Sequence, residues 1–482
     1  MKTELLIDGE YTPSVAKGTF ERLNPVTQAV ATTAVAARKA DVDKAAAAAA
    51  SAFPAWSKTG PTERRGILNK AADALEALSD EIIATAINEI GSTAPWAGFN
   101  VMLGAKILRE AAAMTTQIKG EVIPSDKPGS IAMAVRKPVG VLVGMAPWNA
   151  PIILGVRAIA MPIACGNTVI FKASEKCPKT HMLIGQAFMD AGLPKGVLNI
   201  VTHAAEDAPE VVSALISHPK VRRINFTGST KVGRIIGEQA GRLLKPCILE
   251  LGGKAPLVVL DDADIDGAVN AAAFGAFMNQ GQICMSTERI IVDDKIADEF
   301  TEKLTAKAAA LPFGNPTDPV VLGSVVDVET IDRIATLIKG STALGARVTT
   351  GGTPEKSTIM PATIVDHVTE EMPIFSEESF GPVVCVIRAR NTDHAVELAN
   401  SSEYGLSAAV FGSDITRTLD VADRLNSGIC HINGPTVHDE AQMPFGGIKD
   451  SGYGRFGGSA GVDQFTELRW VTIEDPNQHY PF

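Results

Sequence analysis

The sequence predicts an α/β protein built from two Rossmann-like, doubly wound α/β units. Three observations carry that prediction. From residue 138 onward, short apolar runs alternate with helix-length segments. The alternation comes in two series that meet near residue 250. No stretch rich in Pro, Gly or Ser separates the series. Short buried strands joined by helices imply parallel βαβ units. Two such units without a linker pack closely and leave a cleft, a favoured place for a small-molecule site.

The elements follow in order. Residues 1–100 read as mainly helical after a short strand-like opening. Within them, residues 40–53 carry an alanine run, and alanine is the strongest helix former. In the first series, residues 139–145, 168–171, 197–201 and 221–226 read as strands. Residues 179–190, 208–217 and 231–242 read as the helices between and after them. In the second series, residues 256–260, 290–292, 383–387, 406–411 and 429–432 read as strands. Asp264 is expected to cap a helix that runs to about Met278. The tail after Phe465, LRWVTIE, is strand-like.

Bulk properties narrow the function. A chain of 482 residues corresponds to about three domains. With 55 acidic against 44 basic residues and a net charge of -11, it is a poor match for nucleic acid, whose binding rests on phosphate neutralisation. The N-terminal residues have no apolar h-region, so no secretory signal is expected. The longest apolar stretch, residues 151–171, is interrupted by Arg157, Pro162 and Asn167. It suits a buried core segment better than a membrane span. The six cysteines are scattered singly, with no CxxC and no zinc spacing. That pattern fits a reducing, cytoplasmic setting and no metal site.

One motif is set aside. Gly452, Gly454 and Gly457 match the GxGxxG dinucleotide fingerprint, but no apolar strand precedes them and too few residues follow for a βαβ unit. The segment is expected to be a turn-rich loop.

Five other segments carry candidate chemistry, each with a plainer alternative. FTGSTKVG, with Gly228, Ser229 and Gly233, lies between a strand and a helix. Its helix N-terminus can hold a pyrophosphate, or Ser229 simply caps the helix. FKASE, with Lys172 and Glu175, ends a strand. The pair can grip ribose hydroxyls, and a carboxylate there disfavours a 2′-phosphate; alternatively it is a solvated charged loop. GQIC places Cys284 in a glycine-bearing loop with polar neighbours. It is either a nucleophile, which requires access and a setting that stabilises thiolate, or a structural thiol. ELGGK puts Glu250 at the junction of the two series, as a ligand-facing carboxylate or a surface ion pair. In PWN, the Asn149 amide can donate to an oxyanion or belong to a turn.

The segments PWN, FKASE, FTGSTKVG, ELGGK, GQIC, EESFGP and PFGG occur in that order. Their order and spacing resemble the aldehyde dehydrogenase superfamily, over about residues 19–475. The segments WAGFN and HINGPTVHDEAQMPFGG are most similar to those of bacterial aromatic aldehyde dehydrogenases, the vanillin type first, then the salicylaldehyde and 4-hydroxybenzaldehyde types.

The resemblance implies roles. Cys284 becomes the nucleophile, and Asn149 with the Cys284 backbone N–H stabilises the oxyanion. Glu250 activates water to release a free acid rather than an acyl-coenzyme A. Lys172 and Glu175 would hold the adenosine ribose of NAD, with NADP the weaker partner. Ser229 would hold the pyrophosphate, and Trp148 would border the cofactor cleft. Glu378 would bind the nicotinamide ribose, with Phe380 beside it; the residues themselves do not separate Glu377 from Glu378. Trp96, Phe99, Met278, His438, Asp439 and Phe445 are expected to line the aldehyde tunnel. Arg157 is expected either to face a ring oxygen of an aromatic aldehyde or to be satisfied by a neighbouring carboxylate. The resemblance also implies an NAD-binding domain (residues 1–119 and 138–249), a catalytic domain (250–464) and a β-flap (120–137 and 465–482). The flap would build a homodimer or homotetramer through exposed strand edges. The implied activity is NAD-dependent oxidation of vanillin or a related hydroxybenzaldehyde. The alternatives are a salicylaldehyde or general aliphatic enzyme, a cofactor-independent thiol hydrolase, and a binding protein without activity.

Overall fold

The computed structural model describes residues 1–355, 357–477 and 479–482. The first series forms the parallel centre of an eight-stranded sheet. From Val141–Met145 the chain winds outward through Thr168–Lys172 to Leu198–Val201. It then returns to place Val221–Thr227 on the opposite flank of Val141–Met145, with Cys247–Glu250 beyond it. That reversal opens a crevice at the carboxyl ends of Val141–Met145 and Val221–Thr227, where open α/β sheets bind ligands. The segments PWN and FTGST begin at those two ends.

The second series forms a seven-stranded sheet around Ala255–Val259, flanked by Thr287–Asp293 and Ser407–Phe411. A third sheet stands apart. In it Thr466–Ile473 pairs antiparallel with Ile131–Pro138 along its whole length, and Glu121–Ile123 holds the other edge.

The helix Pro151–Ala164 is buried at every residue, which explains its lack of a polar face. Among the described residues no helix is long and apolar enough to cross a membrane.

Three expectations need correction. The opening is more extensive than a single strand: five short strands occupy the first 35 residues before the helix Lys39–Trp56. Asp264 stands at the N-cap of Ile265–Phe277, but its side chain accepts no capping bond. The GxGxxG segment is not wholly a loop. Gly452–Tyr453 is an edge strand antiparallel to Cys247–Glu250, with Gly452 opposite Glu250. A Cβ on Gly452 would lie 2.0 Å from the Leu249 carbonyl oxygen, so glycine is required for that close approach.

Candidate active site

The loop bearing Cys284 is shaped by backbone conformation. After Ile265–Phe277 ends, Asn279 (φ 49°), Gln280 (φ 56°) and Gly281 (φ +67°) are left-handed in succession. Side chains hold this uncommon run in place. Asn279 Nδ2 donates to the Asn149 carbonyl at 2.9 Å, and Gln280 Nε2 donates to the Ser324 carbonyl at 3.0 Å. A Cβ on Gly281 would come within 2.1 Å of the Gly381 carbonyl oxygen. The glycine of GQIC therefore lets the Cys284 loop lie against the turn that follows Glu378.

Asn149 is 4 % exposed. Its Nδ2 donates to the Gln282 carbonyl at 2.9 Å, which turns the amide toward the Cys284 loop. Its own carbonyl also accepts from Trp96 Nε1 at 3.0 Å. An amide NH₂ has two protons, so one remains for a ligand.

Glu250 ends the strand Cys247–Glu250 and is 2 % exposed. Its carboxyl lies beside the Cys284 thiol, and its Oε1 has no hydrogen-bond partner among the described residues. Burial pushes its carboxyl up to about 7, outweighing the nearby Cys284 and Arg157. Burial also pushes the Cys284 thiol well above its ordinary range, and the Glu250 carboxylate adds to that. The loop therefore does not stabilise thiolate as expected. It places a carboxyl beside the thiol instead.

Two cavities meet at these residues, sharing Asn149, Leu154 and Cys284. Cys284 is partly exposed and lines both. The first, about 650 Å³, occupies the crevice between the two large sheets. Trp148, Gly228, Ser229, Glu250, Glu378 and Phe380 line it. Ser229 is the N-cap of the helix Thr230–Arg242, with Oγ accepting from the Val232 N–H at 3.4 Å, so it both caps and faces the cavity. Glu378 Oε1 accepts from the Gly253 N–H at 2.9 Å, and burial pushes its carboxyl up to about 7. Glu377 also lines this cavity but is exposed, whereas Glu378 is half-buried and bonded to Gly253. The Phe380 ring meets Trp148 edge-on at 5.8 Å.

Three residues expected at the cofactor do not line this cavity. Lys172 and Glu175 form an ion pair with each other at 3.6 Å, at the end of Thr168–Lys172, and neither lines this cavity. Burial acts to raise the Glu175 carboxyl, but Lys172 and a backbone N–H together hold it below the ordinary range. Gly233 packs rather than faces a ligand. A Cβ there would lie 2.4 Å from Leu251 Cδ2, so the glycine lets the helix approach the segment after Glu250.

The second cavity is about 710 Å³. Trp96, Phe99, Arg157, Met278, His438, Asp439 and Phe445 all line it. Trp96 and Phe99 stack at 5.5 Å. Arg157 Nη2 donates to both Asp439 oxygens, at 2.9 and 2.7 Å, and both side chains are at most 10 % exposed. The Arg157 guanidinium also lies 4.4 Å from the Phe445 ring centre. Of the two expectations for Arg157, the structure shows the carboxylate partner, and the same guanidinium lines the cavity.

Sequence reasoning missed Leu103, Phe274 and Tyr404 in these walls. Helical spacing pointed to two of them, since Leu103 follows Phe99 by one turn and Phe274 precedes Met278 by one turn. Tyr404 carried no comparable signal.

A nucleophile, a buried acid and an amide donor thus converge where a polar crevice joins an aromatic slot. A thiol, an acid and an amide donor are the groups that addition to a carbonyl requires. The sequence profile of the Aldehyde dehydrogenase family matches residues 11–471. The chain belongs to the aldehyde dehydrogenase family, whose members oxidise aldehydes with a nicotinamide cofactor, NAD or NADP. It is 58% identical to a vanillin dehydrogenase of Pseudomonas fluorescens over 478 residues, 99% of each chain. It is 51% identical to a salicylaldehyde dehydrogenase of Pseudomonas sp. (strain C18) over 484 residues, 100% of each. A crystal structure of salicylaldehyde dehydrogenase from Pseudomonas putida G7 complexed with salicylaldehyde superposes with a TM-score of 0.99, at 50% identity and 100% coverage of both chains. Membership of this family decides against the thiol-hydrolase and inactive-binder readings.

Proposed function

We propose that this chain oxidises an oxygen-bearing aromatic aldehyde, vanillin or a related hydroxybenzaldehyde, to the free carboxylic acid, with NAD. The observation that carries the reading is the meeting of two cavities at Cys284, one fitted to a dinucleotide and the other an aromatic slot ending on a buried ion pair. The relatives named for vanillin and salicylaldehyde support it.

The crevice suits the cofactor. The N-terminus of the 13-residue helix Thr230–Arg242 favours a pyrophosphate, and Glu378 offers a carboxylate to ribose hydroxyls. Lys172 and Glu175, paired at the end of the strand Thr168–Lys172, are the groups proposed for the adenosine ribose, where a carboxylate favours NAD over NADP.

Glu250 takes the thiol proton as Cys284 adds to the aldehyde carbon. The Asn149 amide and the Cys284 backbone N–H receive the oxyanion. A bound nicotinamide would supply the hydride acceptor, and Cys284 would then carry the acyl group as a thioester. Glu250 then removes a proton from water, which attacks the thioester and frees the acid. Arg157, bonded to Asp439 through Nη2, would offer its other donors to a ring oxygen of the substrate.

The test is NADH formation with vanillin, salicylaldehyde, benzaldehyde and hexanal, each with NAD and NADP. Vanillin with NAD is expected to give the highest kcat/KM. A maximum with hexanal would sink the aromatic reading.

The three segments divide as an NAD-binding part (1–119 and 138–249), a catalytic part (250–464) and a flap (120–137 and 465–482), in a cytoplasmic homodimer or homotetramer. Leu468 and Trp470 are 63% and 78% exposed and stand on one face of the flap sheet, an apolar surface suited to a second copy. Light scattering at micromolar concentration tests this; a monomer there would refute it.

A further inference from the structure

We infer that the buried Lys254–Glu288 ion pair is a positioning device that holds the Glu378 turn in register with the segments bearing Glu250 and Cys284. The inference rests on the proposed role of Glu378 at the cofactor.

Lys254 is 1 % exposed and Glu288 is 4 % exposed, with Nζ to Oε2 at 2.6 Å. Burying two charges is costly, and such a pair is weak evidence of stabilisation. The rest of the Glu288 carboxylate shows what it holds. It accepts from the Ser379 N–H at 3.0 and 3.1 Å, the Ser379 hydroxyl at 2.8 Å and the Phe380 N–H at 3.0 Å. Those donors belong to the two residues directly after Glu378. Phe380 is also left-handed, at φ 47°, a conformation uncommon for a non-glycine residue unless its surroundings impose it. Glu288 is thus the anchor of the turn from which Glu378 and Phe380 face the cavity.

The same pair reaches both reacting groups through the chain. Lys254 follows Glu250 by four residues, and Glu288 follows Cys284 by four. The strands they enter, Ala255–Val259 and Thr287–Asp293, are parallel neighbours, with Ala255 opposite Thr287. The Gly253 N–H, just before Lys254, donates to Glu378 itself. A Cβ on Gly253 would come within 2.2 Å of the Cys284 carbonyl oxygen, so the three segments touch as well as share the pair. Neither Lys254 nor Glu288 lines either of the two cavities. They act through Glu378, Glu250 and Cys284, and not on a ligand.

The experiment compares full-length Glu288→Gln, the double variant Lys254→Met/Glu288→Leu, Ser379→Ala and Glu378→Gln. The readouts are Tm, steady-state kinetics, NADH affinity by fluorescence, and the rate of Cys284 alkylation by iodoacetamide without cofactor. Glu288→Gln is expected to lower Tm, to raise KM for NAD and weaken NADH binding by about 10-fold, and to change the alkylation rate by more than about threefold, with KM for aldehyde nearly constant. The double variant removes both charges, so it should recover Tm. It should not recover NADH affinity, because the Ser379 and Phe380 N–H groups still lack their acceptor. Recovery of both, or a Glu288→Gln variant that loses Tm alone, would overturn the inference. If Glu288→Gln fails to fold, Ser379→Ala decides: a rise in KM for NAD of about twofold or more supports the anchor, and no change refutes it. Glu378→Gln separates the two readings. Unchanged NADH affinity there refutes its cofactor role, whereas weakened affinity there with normal affinity in Glu288→Gln refutes the anchor alone.

Discussion

The two cavities that meet at Cys284 are built in opposite ways. The crevice is walled by strand ends, a helix N-terminus and tight turns, so much of its surface comes from short contiguous segments. The slot is walled by side chains from the helices Ala94–Met114, Pro151–Ala164 and Ile265–Phe277 and from the segment around residues 435–445. Backbone geometry constrains the first, and side-chain identity constrains the second. The difference teaches where each kind of substitution should act: at the junction on rate, in the crevice on cofactor affinity, in the slot on choice of aldehyde.

The sharpest test lies at the junction. Cys284→Ala is expected to reduce aldehyde oxidation by more than about 10³-fold while NADH still binds, as read by absorbance and fluorescence titration. Unchanged turnover would break the proposed mechanism. Glu250→Gln should lower kcat by about 10²–10⁴-fold, the usual worth of a positioned base. The base must be ionised to accept a proton. With its carboxyl pushed up to about 7, activity should rise as pH climbs through that value, and the rise should vanish in Glu250→Gln. Glu378 titrates in the same range, so Glu378→Gln is the control, and it should keep the limb. Asn149→Ala should cost about 10²–10³-fold in kcat if its amide serves the oxyanion.

Within the slot the largest effect is on stability. Arg157→Met leaves Asp439 buried and unpaired, and should cost about 3–5 kcal/mol, measured by denaturant unfolding. Arg157→Met/Asp439→Leu should regain most of that loss, yet shift preference from vanillin toward benzaldehyde. Equal kcat/KM ratios in the double variant and the parent would show that the pair is structural only. The smallest effect belongs to the crevice. Ser229→Ala removes a long capping bond and should cost about 1 kcal/mol or less, with a modest rise in KM for NAD.

The same contrast explains what could be read in advance. The run at residues 168–171 became a strand because contiguous apolar residues bury on both faces of a parallel sheet. The segment PWN and the glycine of GQIC were legible because a strand end and a left-handed turn demand particular residue types. Gly233 was harder to read, because a glycine that lets a helix pack against Leu251 looks the same in sequence as one needed for a ligand. Glu288 passed unnoticed because its partners, Lys254 and Ser379, lie 34 and 91 positions away.

By itself, then, the sequence determined the alternation of elements, the break near residue 250, and the order of the motifs. Local periodicity and turn chemistry set those, and they act over a few neighbouring residues. Only the tertiary structure decided that Arg157 is matched by Asp439, that the buried Glu250 carboxyl lies beside Cys284, and that one buried carboxylate holds the turn after Glu378. Each of those depends on burial and on contacts between residues distant in the chain, where the protein interior magnifies a charge and rewards only the partner that folding brings beside it.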